Sequence, residues 1–230
     1  MRMRKKKNLE ERLARVGDIL FVSDIAYSER NFATAKNQKE YIDFDAWFEK
    51  KQPLYLEIGC GKGKFACEYA KAHPEINLIA VERTANVIVK ACETAKEMGL
   101  NNLKFIKCGA EYLEKYIKVD SVERIFLNFS CPFPKAAYAS HRLTHKGFLE
   151  IYKKIMKKDA EIHQKTDNMH FFEFSIEQLS GNGFAIKNVS LDLHNSDFEN
   201  NIETEYEHRF ASLGMPIYRL EAFLMGENYD

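Results

Sequence analysis

With 230 residues, 45% of them apolar and 30% charged, the chain has the makeup of a folded globular protein able to bury one substantial core. Its 34 basic and 34 acidic side chains balance, but residues 1–7 hold five of the basic ones, so residues 8–230 carry 29 against 34, a net of −5. That excludes indiscriminate coating of nucleic acid and leaves any such contact to local basic patches.

In chain order, residues 1–50 read as a basic N-terminal arm and a packing helix over YIDFDAWFEK (41–50), and residues 51–230 as the main domain. From Pro53, apolar strands alternate with helical patterns. LYLEIG (54–59), NLIAVE (77–82), LKFIKC (103–108), ERIFLNF (123–129) and EIHQKT (161–166) are the strands, and their Val, Ile, Leu and Phe content suits covered positions. Residues 84–98 put Val87, Ile88, Ala91, Ala95 and Met98 on one helix face, closed by Gly99. Residues 146–158 do the same with Phe148, Leu149, Tyr152, Ile155 and Met156. FAIKNVSLDL (184–193) and IYRLEAFLM (217–225) read as strands around a helix in TEYEHRFASLG (204–214). The alternation predicts an α/β fold, three-layered and Rossmann-like, with a mostly parallel seven-stranded sheet and an antiparallel edge strand.

No apolar run nears the roughly 20 residues of a membrane span, and MRMRKKKNLE leads into no signal-peptide core. Five cysteines without CxxC spacing argue against a disulfide framework or a bound metal. A cytoplasmic protein with no membrane or metal partner is expected.

The chemistry concentrates in LEIGCGKGKF. Glycines 59, 61 and 63 follow a strand and open a helix, where a missing Cβ lets backbone approach a ligand. A dinucleotide fingerprint would want glycine at Lys64, and the GKS/T ending of a phosphate loop is absent. Glu57 stands inside the strand before the loop, and Glu82 closes the next strand, where a carboxylate can accept both hydroxyls of a ribose. Together these look like the cofactor site of an S-adenosylmethionine-dependent methyltransferase.

LEIGCGKGKF is followed in order by IFLNFSCPFPK, EIHQKTDNMHFFEFS, SLDLHNS and NIETEYEHRFASLGMPIYRLE. Over about residues 53–222 this set closely resembles the bacterial tRNA (guanine-N7)-methyltransferase family. The resemblance implies a class I methyltransferase fold, S-adenosylmethionine as cofactor and tRNA as partner. It implies direct in-line methyl transfer to guanine N7 at position 46 of the variable loop, by a monomer or homodimer. Glu57, Gly59, Gly61, Glu82 and Ala110 would bind the cofactor. Lys135, Asp167, Thr204, Glu205, Tyr206 and Glu207 would bind substrate, with Lys135 meeting phosphate and an acid accepting guanine N1–H and N2–H₂. Simpler roles also fit: Asp167-Asn168 as a helix cap, Glu205 and Glu207 as first-turn carboxylates, Tyr206 as a packing residue.

Three departures stand out. The family's Phe-Ser-Asp-Pro-Trp-Pro-Lys reads here with Cys131 for the acid and Phe133 for the tryptophan. Gly109 stands where an acid is expected after the third strand, with Glu111 two residues on. The loop AAYASHRLTHK (136–146) carries only Arg142 and Lys146 beside two histidines. Cys131 is expected to be a partly buried neutral thiol filling the volume of the acid, and no catalytic residue is assigned. A binding paralogue with weak or lost methyl transfer is the alternative reading.

Overall fold

The computed structural model describes residues 7–23 and 39–225, so the first six residues of the basic arm lie outside it. Two compact units divide the chain, residues 1–118 and 119–230. The first contains α1 (Leu9–Arg15), β1 (Leu20–Val22), α2 (Phe44–Trp47), β2 (Leu54–Ile58), α3 (Lys64–Ala72), β3 (Asn77–Val81), α4 (Ala85–Glu97), β4 (Leu103–Lys107) and α5 (Leu113–Tyr116). Its strands lie in the order β1-β4-β3-β2, every pair parallel. All five residues of β3 are buried, as a strand covered on both faces requires. The register sets Ile58 opposite Val81 and Val81 opposite Ile106, so β2, β3 and β4 end side by side.

Two elements here were not expected from the sequence. Helix α1 buries only Leu9 and docks through Arg12, whose Nε and Nη2 donate to the Glu93 carboxylate at 2.6 Å each. Strand β1 is three residues long and pairs with β4, making eight strands among the described residues where seven were predicted. The helix expected over residues 41–50 is a single turn, Phe44–Trp47, capped by the Asp43 side chain. In α4 the buried face is Ile88, Val89, Ala91, Cys92 and Ala95, which corrects the predicted inclusion of Val87 and Met98.

Helix α3 packs closely on α4 because Gly63 has no side chain. A Cβ there would lie 2.5 Å from that of Ala91, and the residue also takes a left-handed φ of +81°. Gly63→Ala combines a left-handed backbone cost of about 1–2 kcal/mol with overpacking of about 1–3 kcal/mol. A loss of about 3 kcal/mol in urea unfolding is expected; a loss below about 1 kcal/mol would contradict this packing role.

The second unit contains β5 (Val122–Asn128), α6 (Lys146–Ile155), β6 (Met156–Thr166), α7 (Met169–Ser180), β7 (Phe184–Ser190), α8 (Glu205–Ala211) and β8 (Tyr218–Leu224). Strands β5 and β6 are parallel, while β6–β8 and β8–β7 are antiparallel. Three boundaries differ from the sequence reading. Helix α6 stops at Ile155, and Met156 already begins β6, because Met156 pairs with Val122; the register then shifts before Glu161 pairs with Arg124. Strand β7 ends at Ser190, where a bend leads into a short 3₁₀ turn at Leu193–Asn195. Helix α8 ends at Ala211, and a turn carries the chain to Gly214, at φ +72°. Among the described residues, no helix is long and apolar enough to cross a membrane.

Candidate functional site

Past Ile58, Gly59 and Gly61 adopt φ values of +85° and +57°, and a Cβ built on either meets nothing within 4 Å. The Gly59 and Cys60 N–H groups both donate to the Val81 carbonyl, at 2.8 and 3.0 Å, fastening the loop to the end of β3. Glu57 is 2% exposed. Glu82 is half-buried, and its Oε1 accepts from the Thr84 N–H at 2.8 Å, which leaves the other oxygen available to a ligand hydroxyl. Burial raises the Cys60 thiol well above its ordinary range, and the Glu57 and Glu82 charges push the same way. Both carboxylates therefore act on this loop. Beyond β4, Gly109 leads to the buried Ala110 at the start of a short 3₁₀ turn.

This set of groups fits S-adenosylmethionine: open space at two left-handed glycines, acids to accept from a charged amine and ribose hydroxyls, and a third loop beside them. Burial also drives the Cys67 thiol of α3 up to about 12, so Cys60 in the loop and Cys67 in the helix are packing groups rather than nucleophiles. A separate cleft of about 280 Å³ lies at the amino ends of the strands. Its amide side chains are committed to structure: Asn102 donates to the Ala70, His73 and Ile76 carbonyls, and Gln52 to that of Pro74. Ligands of open α/β sheets bind at the opposite, carboxyl end.

In the second unit, the turn after β5 is held in an unusual backbone. Phe129 and Phe133 both take positive φ, +50° and +41°, a strained region for aromatic residues. The Phe129 N–H donates to the Lys165 carbonyl at 2.8 Å. Arg142 grips the far side, donating to the carbonyls of Pro132 (2.9 Å) and Phe133 (3.1 Å) while stacking 4.4 Å from the Phe174 ring. Its guanidinium is thus committed to the turn. Between the two phenylalanines, Cys131 is exposed, which corrects the expectation of a partly buried thiol. Among the described residues the buried Ser130 hydroxyl has no hydrogen-bond partner. Lys135 is exposed where the 3₁₀ turn Ala136–His141 begins.

After β6, the capping role belongs to Asn168 alone: its side chain accepts from the Phe171 N–H at 2.8 Å. The half-buried Asp167 carboxylate makes no hydrogen bond or ion pair among the described residues. Thr204 and Glu207 form a reciprocal capping box at the start of α8. Glu207 is fully buried; Lys165 Nζ donates to it at 2.6 Å and Asn201 Nδ2 at 2.5 Å, and His194 Nε2 lies 3.3 Å away. Glu205 and the Tyr206 ring, 59% exposed, face outward from the same turn. Lys165, Asn201, His194, Ser130 and Arg142 were not singled out as site residues from sequence. A lysine among inward-facing strand residues was the one available signal.

The cluster Glu161, His163 and Glu221 has metal-ligand chemistry but is neutralised by protein cations. Arg124 and Lys187 pair with Glu161, and Arg219 with Glu221.

The parallel strands, glycine loop and flanking acids define an α/β methyltransferase. The fold is shared with the 16S rRNA methyltransferase KamB, at a TM-score of 0.56 and 14% identity over 88% of this chain and 96% of that one. A family model described as "Putative methyltransferase" matches residues 51–220. A tRNA (guanine-N(7)-)-methyltransferase of Macrococcus caseolyticus is 44% identical over 222 residues, covering 96% of this chain and 99% of the relative. One of the same name from Halalkalibacterium halodurans is 50% identical over 175 residues, covering 76% and 80%. The chain belongs to the tRNA (guanine-N(7)-)-methyltransferase family.

Proposed function

We propose that this chain methylates guanine N7 in tRNA with S-adenosylmethionine, acting at position 46 of the variable loop. The observation that carries the guanine-binding part is Asp167, a partner-free carboxylate whose neighbour Asn168 already caps the helix. S-adenosylmethionine, when bound, supplies a methyl group on a positively charged sulfur. Guanine N7 has an exposed lone pair and no proton at neutral pH, so no general base is required, and the protein's task is orientation.

The first unit supplies the cofactor groups. Glu57 faces the charged amine, Glu82 accepts from the ribose, and Gly59, Gly61 and Ala110 bring backbone close. The second unit holds the acceptor. Asp167, aided by Glu205, accepts guanine N1–H and N2–H₂, donors that adenine does not present on that edge. Tyr206 offers a face for a base, and Lys135 meets a phosphate. Thr204 and Glu207 act through structure, fixing the helix start that presents Glu205 and Tyr206.

Labelled S-adenosylmethionine and unmodified tRNA test this reading. Label should appear on guanine N7 at position 46 and vanish when that base is changed to adenine. Label elsewhere would overturn the site, and cofactor binding with no transfer would make this a binding paralogue. Cys131→Asp restores a carboxylate to an exposed turn position and should raise turnover with melting temperature unchanged. Loss of activity in that variant would show that the thiol contributes directly.

A further inference from the structure

Gly109 raises a question its backbone does not answer. Its φ of −80° and ψ of 150° are ordinary extended values that any residue adopts. What the glycine uniquely leaves is space, and that space is filled. A Cβ at 109 would stand 2.4 Å from Glu111 Oε2, 2.6 Å from its Cδ and 2.7 Å from Oε1. The Glu111 side chain therefore folds back over its neighbour, setting its carboxylate where a side chain of residue 109 would begin. That carboxylate is half-buried, and it has no hydrogen bond or ion pair among the described residues. The nearby Cys108 thiol is raised mainly by burial and further by the Glu111 charge.

The placement gives this group a use. The loops after β2, β3 and β4 emerge side by side, with Glu82 on the middle one. A ribose held at Glu82 directs its base to one side, and the loop after β4 is the neighbour on the side away from the glycine loop. An adenine carries one strong outward donor, its exocyclic amine, and a carboxylate without protein partners is a matching acceptor.

We propose that Glu111, accommodated by Gly109, is the residue that recognises the adenine amine of the cofactor. This rests on the cofactor reading above. Gly109 and Glu111 then form a unit: one residue gives up its side chain so that the other's carboxylate can occupy the position.

Calorimetric titration with S-adenosylhomocysteine and with its analogue lacking the 6-amino group separates the two claims. The wild-type chain should bind the amino form about 10- to 100-fold more tightly, the range of a charged hydrogen bond. Glu111→Ala should bind both forms alike, and Glu111→Gln, a milder change that retains an acceptor, should keep an intermediate preference. The double variant Gly109→Asp with Glu111→Ala should recover the preference by moving the carboxylate to residue 109. Glu111→Ala, folded by its melting curve and still preferring the amino form as wild type does, would overturn the proposal and leave the cofactor reading standing. A wild-type chain that binds both forms alike would do the same. Failure of the wild-type chain to bind either compound would overturn both.

Discussion

Asp167→Ala should lower kcat/KM for tRNA by about 10²- to 10³-fold while leaving S-adenosylhomocysteine affinity unchanged. The carboxylate would lose hydrogen bonds to N1–H and N2–H₂ of guanine. At about 1.5–2 kcal/mol each, these sum to about 3–4 kcal/mol, and about 1.4 kcal/mol is tenfold in rate. Stability should stay within about 0.5 kcal/mol of wild type, because Asp167 has no protein partner and Asn168 keeps the cap. Single-turnover kinetics with a melting curve would measure both. A rate within about threefold of wild type would remove Asp167 from the guanine site.

Glu207→Ala should behave in the opposite way and fail through folding. It removes the carboxylate 2.6 Å from the buried Lys165 ammonium, which also donates to the Asn201 side chain and the Ile202 carbonyl. Breaking one side of a buried ion pair costs about 3–5 kcal/mol, a range that includes loss of the Glu207 half of the capping box, while the Thr204 hydroxyl keeps its bond to the backbone N–H. Urea unfolding should record the loss. Replacing both partners, Lys165→Met with Glu207→Leu, should recover more than half, because no uncompensated charge stays buried. If the single and double variants were equally destabilised, the penalty would lie in packing rather than in the stranded charge.

The contrast between these two acids marks how far the sequence could be read. The strands β2 to β5 are apolar runs whose identity is local, and the alternation with helices fixed the class. The glycine loop was legible because it follows directly on β2, and the position of Glu82 because it closes β3, the strand that pairs with β2. Position alone could not separate Asp167, free of partners, from Glu207, engaged on both oxygens. That difference depends on Lys165 and His194, which come from other elements. Strand β1 was hidden because three residues carry too little pattern, and its hydrogen bonds come from β4, more than eighty residues away. The start of β6 was hidden because Met156 continues the helical stripe of α6 while its backbone has already turned extended, at φ −75° and ψ 143°. Gly109 looked like a missing acid because a one-dimensional reading sees that position 109 lacks a side chain. It does not see that residue 111 returns to cover it.

The paired phenylalanines around Cys131 bear on how this family can change. The turn's course is set by the backbone angles of Phe129 and Phe133 and by the Arg142 grip on two carbonyls, none of which involves the side chain at 131. Shape and chemistry are thus inherited separately at this point. An exposed side chain carried on a turn whose form it does not determine can be exchanged, acid for thiol or the reverse, without an unfolded intermediate in the lineage.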